Sequence, residues 1–82
     1  MEFEWDPSKA ASNELKHKVT FQEAASVFSD PDHSHEEDRF ITFGFSQEQR
    51  LLVVSHTSRG DRTRIISARL MTRQEKKIYE EG

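Results

Sequence analysis

Residues 50–69, RLLVVSHTSRGDRTRIISAR, leave this 82-residue chain the fewest ways to fold. Four consecutive apolar residues, Leu51 to Val54, read as a strand buried on both faces. A tight turn at Ser58-Arg59-Gly60-Asp61 follows, then a second strand in which Arg62 and Arg64 lead into Ile65-Ile66. A hairpin with this much apolar surface belongs at the centre of a sheet. The arginines gathered at its turn end are what a function has to explain.

The flanking segments supply the rest of that sheet. RFITFGF, from Arg39, reads as a strand that reaches the hairpin through Ser46-Gln47-Glu48-Gln49. With both turns four residues long, Phe43 faces Leu52, Ile41 faces Val54 and Val54 faces Ile65, giving one large apolar face. That register puts Thr42, Ser55, Thr57, Arg62 and Arg64 on the other face, with His56 near Arg39 and Thr63. At the N-terminus, Phe3 and Trp5 alternate with Glu2, Glu4 and Asp6, as in a short strand with one apolar side.

Helix signals are well placed. Asp6-Pro7 supplies an N-cap followed by proline at the first helical position, opening a helix to about Lys16 with a thin stripe at Ala11 and Leu15. Thr20-Phe21-Gln22-Glu23 is a capping box, with Val19 placed to pack over Ala24 and Phe21 and Phe28 expected in the core. Thr72-Arg73-Gln74-Glu75 is a second box, opening a C-terminal helix through Tyr79 that only Ile78 and Tyr79 can anchor. The expected fold is α+β: two N-terminal helices and one C-terminal helix on a largely antiparallel sheet of about four strands, forming one domain over 1–82.

Composition narrows the function classes. Cysteine is absent, which excludes disulfides and thiolate metal sites and suits a reducing cytoplasm. No apolar run approaches the ~20 residues that span a bilayer, and the acidic N-terminus is unlike a signal peptide, so no membrane role is expected. The net charge of −3 hides a split: residues 1–38 carry −7, residues 39–77 carry +6, and Glu80 and Glu81 supply the remainder. The basic half suits a polyanion. His33 and His35 lie among carboxylates in the connection 30–38, but without the spacing that fixes metal ligands, so no metal or other cofactor is expected.

Phosphate-binding glycine loops and nucleophile elbows are missing. What remains is Arg59, Arg62, Arg64, Arg69, Lys16, Lys18, His17, His56 and Tyr79. This set suits RNA cleavage by the RNA's own 2′-hydroxyl, which needs a proton acceptor, cations for the phosphate and an acid for the leaving oxygen, and no metal. Guanidinium binds phosphate oxygens bidentately, and imidazole serves as acid or base near neutral pH. Each residue also has a structural reading. His17 closes a helix, Tyr79 anchors a core, and Arg69 pairs with Glu23 or Glu75.

The ordered combination of short motifs resembles the BrnT-type toxins. It comprises Trp5-Asp6-Pro7, Lys9-Ala10, Asn13, Lys16-His17, V-x-F-x-E-A from Val19 to Ala24, and V-F-x-D-P from Val27 to Pro31. Arg39-Phe40, R-I-I-S-A-R from Arg64 to Arg69, and T-x-x-E-x-x-x-Y from Thr72 to Tyr79 complete it. The resemblance implies a RelE-like fold and the ribonuclease half of a type II toxin–antitoxin pair that inhibits translation. It also implies a BrnA-type antitoxin partner with a ribbon-helix-helix domain, so that operator DNA is met only through the antitoxin. The chain departs from the pattern at Lys18, where the family has glycine. If that position is left-handed, lysine costs about 1 kcal/mol there.

The reading is therefore a metal-independent endoribonuclease. His17, His56, Arg64, Arg69 and Tyr79 are its candidate catalytic residues, and Lys16, Arg59 and Arg62 its candidate RNA-binding residues. The rival is a non-catalytic protein-binding module that acts only within an autoregulatory DNA-binding complex.

Overall fold

The computed structural model describes residues 2–29, 34–36 and 41–81, with 34–36 as backbone alone. Strands β1 (Glu2–Glu4), β2 (Ser34–Glu36), β3 (Ile41–Phe45), β4 (Leu51–Arg59) and β5 (Arg62–Leu70) form one sheet in the order β1-β5-β4-β3-β2. Helices are α1 (Pro7–His17), α2 (Phe21–Ser26), which runs into a 3₁₀ turn at Val27–Ser29, and α3 (Arg73–Glu81). The expected α+β architecture is present, and the sheet is mixed: β1 runs parallel to β5 while the other pairings are antiparallel. A fifth strand, β2, forms where sequence indicated only a polar connection, pairing with Ile41–Phe43. The side chains of His33 and His35, where no metal site is expected, and the strand start at Arg39-Phe40 lie outside the described residues. No helix among the described residues is long and apolar enough to cross a membrane.

Both hairpins differ in register from the expectation. β3 and β4 are joined by five residues, Ser46 to Arg50, so Phe43 pairs with Val53 and Thr42 with Val54. One extra turn residue moves Phe43 and Ile41 to the face opposite Leu52 and Val54. The β4–β5 loop is two residues, Gly60-Asp61, with Gly60 at φ +61°, a value two-residue hairpins favour and glycine adopts freely. Ser55 pairs with Ser67 while His56 pairs with Ile65, which leaves Ile66 as an extra residue in a β-bulge. Val54 consequently faces Ala68 instead of Ile65.

The four buried residues of β4 serve two cores. Leu52 and Val54 join Val19, Phe21, Ala24, Val27, Ile65 and Ala68 beneath α1 and α2, with Phe3, Trp5 and Phe28 around them. Leu51 and Val53 join Met71 on the opposite face, covered by Ile41, Phe43 and Tyr79. A strand buried on both faces was the expectation for these residues, and it holds.

Helix α1 starts as expected, with Asp6 accepting from the Ser8 N–H at 2.8 Å and Pro7 next. Its contact face is different. Leu15 is 77% exposed, and Ala11 is exposed too, whereas Asn13 is buried and Ala10 packs on the core. The Asn13 amide donates to the carbonyls of Val19 (3.0 Å) and Ala68 (2.9 Å) and its oxygen accepts from the Ala68 N–H (3.1 Å). The anchor of this helix is a polar side chain completing the free edge of β5. The helix ends at Lys18, which is left-handed at φ 60°, ψ 33°.

The two capping boxes resolve differently. In α2 the Thr20 hydroxyl accepts from the Glu23 N–H at 3.0 Å, but the Glu23 carboxylate does not return to Thr20. It is buried and accepts from Ser46 Oγ (2.7 Å), Arg50 Nε (2.8 Å) and Arg50 Nη2, tying α2 to the β3–β4 turn. Arg50 holds this carboxyl below the ordinary range, and Ser46 adds to the effect. In α3 the box is complete: Thr72 Oγ1 accepts from the Glu75 N–H (3.1 Å) and Glu75 Oε1 accepts from the Thr72 N–H (2.9 Å).

Candidate functional site

The two faces of the sheet are unequal. One is filled by α1 and α2. Among the described residues the other is covered only toward the Met71 end, where Tyr79 of α3 packs against the cluster of Leu51, Val53 and Met71. Side chains alternate along a strand, so β4 sends Leu51, Val53, Ser55, Thr57 and Arg59 to this open face. Their partners on β5 are Arg69, opposite Val53, Ser67, opposite Ser55, Arg64, opposite Thr57, and Arg62, opposite Arg59. All four arginines of the hairpin therefore share one face. Arg62 and Arg64 are an odd number of residues from Arg69 and would face opposite ways on a regular strand. The extra residue at Ile66 brings them into phase.

At the hairpin tip, β1 sets Glu2 beside Arg62 and Glu4 beside Arg64. Arg64 Nη1 donates to Glu4 Oε2 at 3.0 Å, Arg62 lies 3.6 Å from Glu4 Oε1, and Arg62 lies 3.4 Å from Glu2. The hydrogen bond from Arg64 lowers the Glu4 pKa, partial burial opposes it, and the charges of Arg59, Arg64 and Arg62 add to the lowering. A groove lined by Glu2, Glu4, Arg59, Gly60, Asp61 and Arg62 opens beside this cluster.

Five residues along β5, roughly 16 Å away at strand rise, Arg69 grips Glu75 with two parallel bonds of 2.8 and 2.9 Å. Glu75 is the second of the two partners expected for Arg69. Hydrogen bonding to Arg69, with the Thr72 N–H, holds the Glu75 carboxyl at about 2, and the pairing raises the Arg69 pKa. Ser55, Ser67 and Thr57 line the strip between the two arginine centres, with Phe43 and Phe45 farther along the same face on β3.

The two candidate imidazoles, His17 and His56, lie elsewhere. His56 Nε2 is 2.8 Å from Thr42 Oγ1, and its ring meets Phe28 edge-on at 4.9 Å, so it belongs to the helix-covered face and not beside the arginines. The physical reason is the register: with five residues in the β3–β4 turn, Thr42 and His56 share the face of Val54. His17 ends α1 half-buried, and Lys16 beside it is exposed, both on the helix that packs against that same face. The structure thus gathers Arg59, Arg62, Arg64, Arg69 and Tyr79 on the open face and leaves His17, Lys16 and His56 off it.

A family model described as the ribonuclease toxin BrnT of a type II toxin–antitoxin system matches residues 5–75. The chain belongs to the BrnT family. The crystal structure of the Brucella abortus ribonuclease toxin BrnT superposes with a TM-score of 0.70 at 22% identity, covering 89% of this chain and 99% of that one. A comparison with curated proteins finds no match. The family resemblance read from the motifs is therefore correct, and the chain is a ribonuclease toxin of the type II class, with an antitoxin as the counterpart that class implies.

For a BrnT chain, the residues that sequence reasoning passed over are Glu4 and Arg50. Glu4 was grouped only with the polar side of a strand. Its signal was its alternation with Phe3 and Trp5, which fixes it on the face away from the core, but its arginine partners emerge only from the parallel β1–β5 pairing. Arg50 opened the hairpin stretch in sequence, yet its guanidinium turns to Glu23.

Proposed function

We propose that this BrnT-family chain is a metal-independent endoribonuclease that cleaves RNA through the 2′-hydroxyl and thereby arrests translation. A small antitoxin with a ribbon-helix-helix domain neutralises it and carries the pair to operator DNA. The observation that carries the reading is the alignment of Arg59, Arg62, Arg64 and Arg69 on one open sheet face of a ribonuclease-family fold. Arg62 and Arg64 hold the phosphate at the reacting bond, and Arg69 holds one farther along the strand. Phe43 and Phe45 offer rings on which unstacked bases rest, as single-stranded RNA readers require. Tyr79 frames the far end. His56 acts from the opposite side, through its hydrogen bond to Thr42 and its contact with Phe28.

The test is cleavage of a synthetic RNA by the purified chain in EDTA, with and without ribosomes. Cleavage that leaves 2′,3′-cyclic phosphate ends is expected, with Arg64→Ala lowering the rate about 10²-fold, as loss of one preorganised donor does. A chain shown folded that leaves RNA intact in both settings refutes the reading and favours the non-catalytic module, whose arginines dock an acidic partner segment.

A further inference from the structure

We propose that Glu4 is the proton acceptor of the cleavage, a base for the RNA 2′-hydroxyl held between Arg62 and Arg64. This rests on the endoribonuclease reading above. Among the described side chains, the geometry singles out Glu4 from the carboxylates of the open face. Glu75 is committed, accepting two bonds from Arg69 and one from the Thr72 N–H. Glu2 is 73% exposed and reaches Arg62 alone. Glu4 is 23% exposed, meets both Arg62 and Arg64, and borders the groove at the hairpin tip. With His56 turned to Thr42 and Phe28, it is, among the described side chains, the carboxylate that shares a face with the phosphate-binding set and is braced by two guanidiniums.

The chemistry balances with these groups alone. A phosphate oxygen displaces part of the guanidinium coordination of Glu4, and Arg62 and Arg64 then bridge phosphate and carboxylate, which brings the adjacent 2′-hydroxyl to Glu4. The carboxylate takes the hydroxyl proton as O2′ forms its bond to phosphorus. The P–O5′ bond breaks, O5′ leaves with the electron pair and takes a proton from water, and Glu4 returns its proton to solvent. The groups facing Glu4 are Arg64 and Arg62 of β5, Arg59 at the end of β4, and Glu2 on its own strand. The three cations keep the carboxylate ionised at neutral pH, and its basicity rises as the phosphate takes up their charge.

The experiment compares the full-length chain with Glu4→Gln, Glu4→Asp and Glu2→Gln in steady-state cleavage of an RNA oligonucleotide, with melting curves alongside. Glu4→Gln is expected to lower kcat about 10²-fold or more, the usual worth of a positioned base. Its KM should be unchanged or lower because a negative charge leaves the phosphate site. Glu2→Gln should keep kcat, with KM unchanged or lower for the same reason. The pH profile of kcat/KM should be flat from about pH 5.5 to about pH 8, because a base with a lowered carboxylate pKa is ionised throughout. Glu4→Gln cleaving as fast as the unsubstituted chain, or faster, would mean that the carboxylate merely screens the arginines, and overturns the proposal. So does a titration step near ~6.5, the ordinary imidazole range. If Glu4→Gln unfolds, Glu4→Asp decides: a withdrawn base lowers kcat with KM held, whereas a screening charge survives the shortening. An unsubstituted chain that is folded and inert removes the endoribonuclease reading itself, and this proposal with it.

Discussion

Asn13 offers a sharp test of how the two halves of the molecule are joined. Its side chain is the partner of the Ala68 N–H and C=O, which point away from β4, and of the Val19 carbonyl. Asn13→Ala removes three hydrogen bonds worth about 1 kcal/mol each and leaves buried backbone groups that water reaches poorly, so a loss of about 3–4 kcal/mol is expected. A chain of this length has roughly 4–12 kcal/mol of stability in total, so the variant should sit near the edge of folding. Its melting point should fall by about 12–32 °C, at the usual ~4–8 °C per kcal/mol. Asn13→Asp is the more telling change. One oxygen still accepts from the Ala68 N–H, but the other replaces the amide nitrogen and faces two carbonyl oxygens at 2.9 and 3.0 Å. The folded chain therefore raises the pKa of that carboxyl. Stability is lost above the folded pKa and regained on acidification, as the protonated acid donates to one carbonyl. Urea unfolding followed by the single tryptophan, Trp5, which packs edge-on against Phe21 at 5.9 Å, measures both variants. The reasoning fails if Asn13→Ala costs less than about 1 kcal/mol, or if Asn13→Asp is the more stable of the two at pH 7.

Other perturbations have equally definite outcomes. Lys18→Gly should stabilise by about 1 kcal/mol, since Lys18 sits at φ 60° and glycine carries no Cβ penalty there; an unchanged urea midpoint would contradict this. Arg50→Ala strands the buried Glu23 carboxylate with only the Ser46 hydroxyl. It should cost about 3 kcal/mol, toward the low end for a broken buried pair because Arg50 is partly exposed, and a chemical-denaturation series reads it directly. Glu75 has a folded-state pKa of about 2 against an ordinary 4.5, so its contribution is complete above the unfolded value and disappears as pH falls toward 2. Solvent screening limits that contribution to about 1 kcal/mol. Glu75→Gln should remove this part of the acid sensitivity, together with amide-exchange protection at the start of α3.

Much of this was readable from the letters. Asp6-Pro7, Thr20 to Glu23 and Thr72 to Glu75 announced three helix starts within a residue, because capping is local chemistry between neighbours. Leu51 to Val54 announced a strand between two cores for the same reason: four apolar residues in a row leave no polar face. Register was not readable. Arg50 belongs to a turn because Glu23, 27 residues earlier, captures its guanidinium, and no local rule expresses that. The bulge at Ile66 is likewise invisible in Ile65-Ile66-Ser67, yet it decides which face Arg69 joins. Asn13 reads as an ordinary polar helix residue until β5 presents an unpaired edge to it. Ser34–Glu36 shows no apolar alternation that would announce the strand it forms.

The strand that the rest of the molecule docks on is also the last one in the chain. β1, α1 and α2 all rest on β5, which is made after every other strand. During synthesis the core around Phe3, Trp5 and Phe21 stays incomplete until Ile65 and Ala68 join Leu52 and Val54 within it, so the molecule closes late. A chain broken off before Arg59 lacks all four arginines of the open face and the strand that β1, α1 and α2 contact. In a chain of the ribonuclease toxin family, a copy cut short of β5 therefore has neither a closed core nor the full set of open-face arginines.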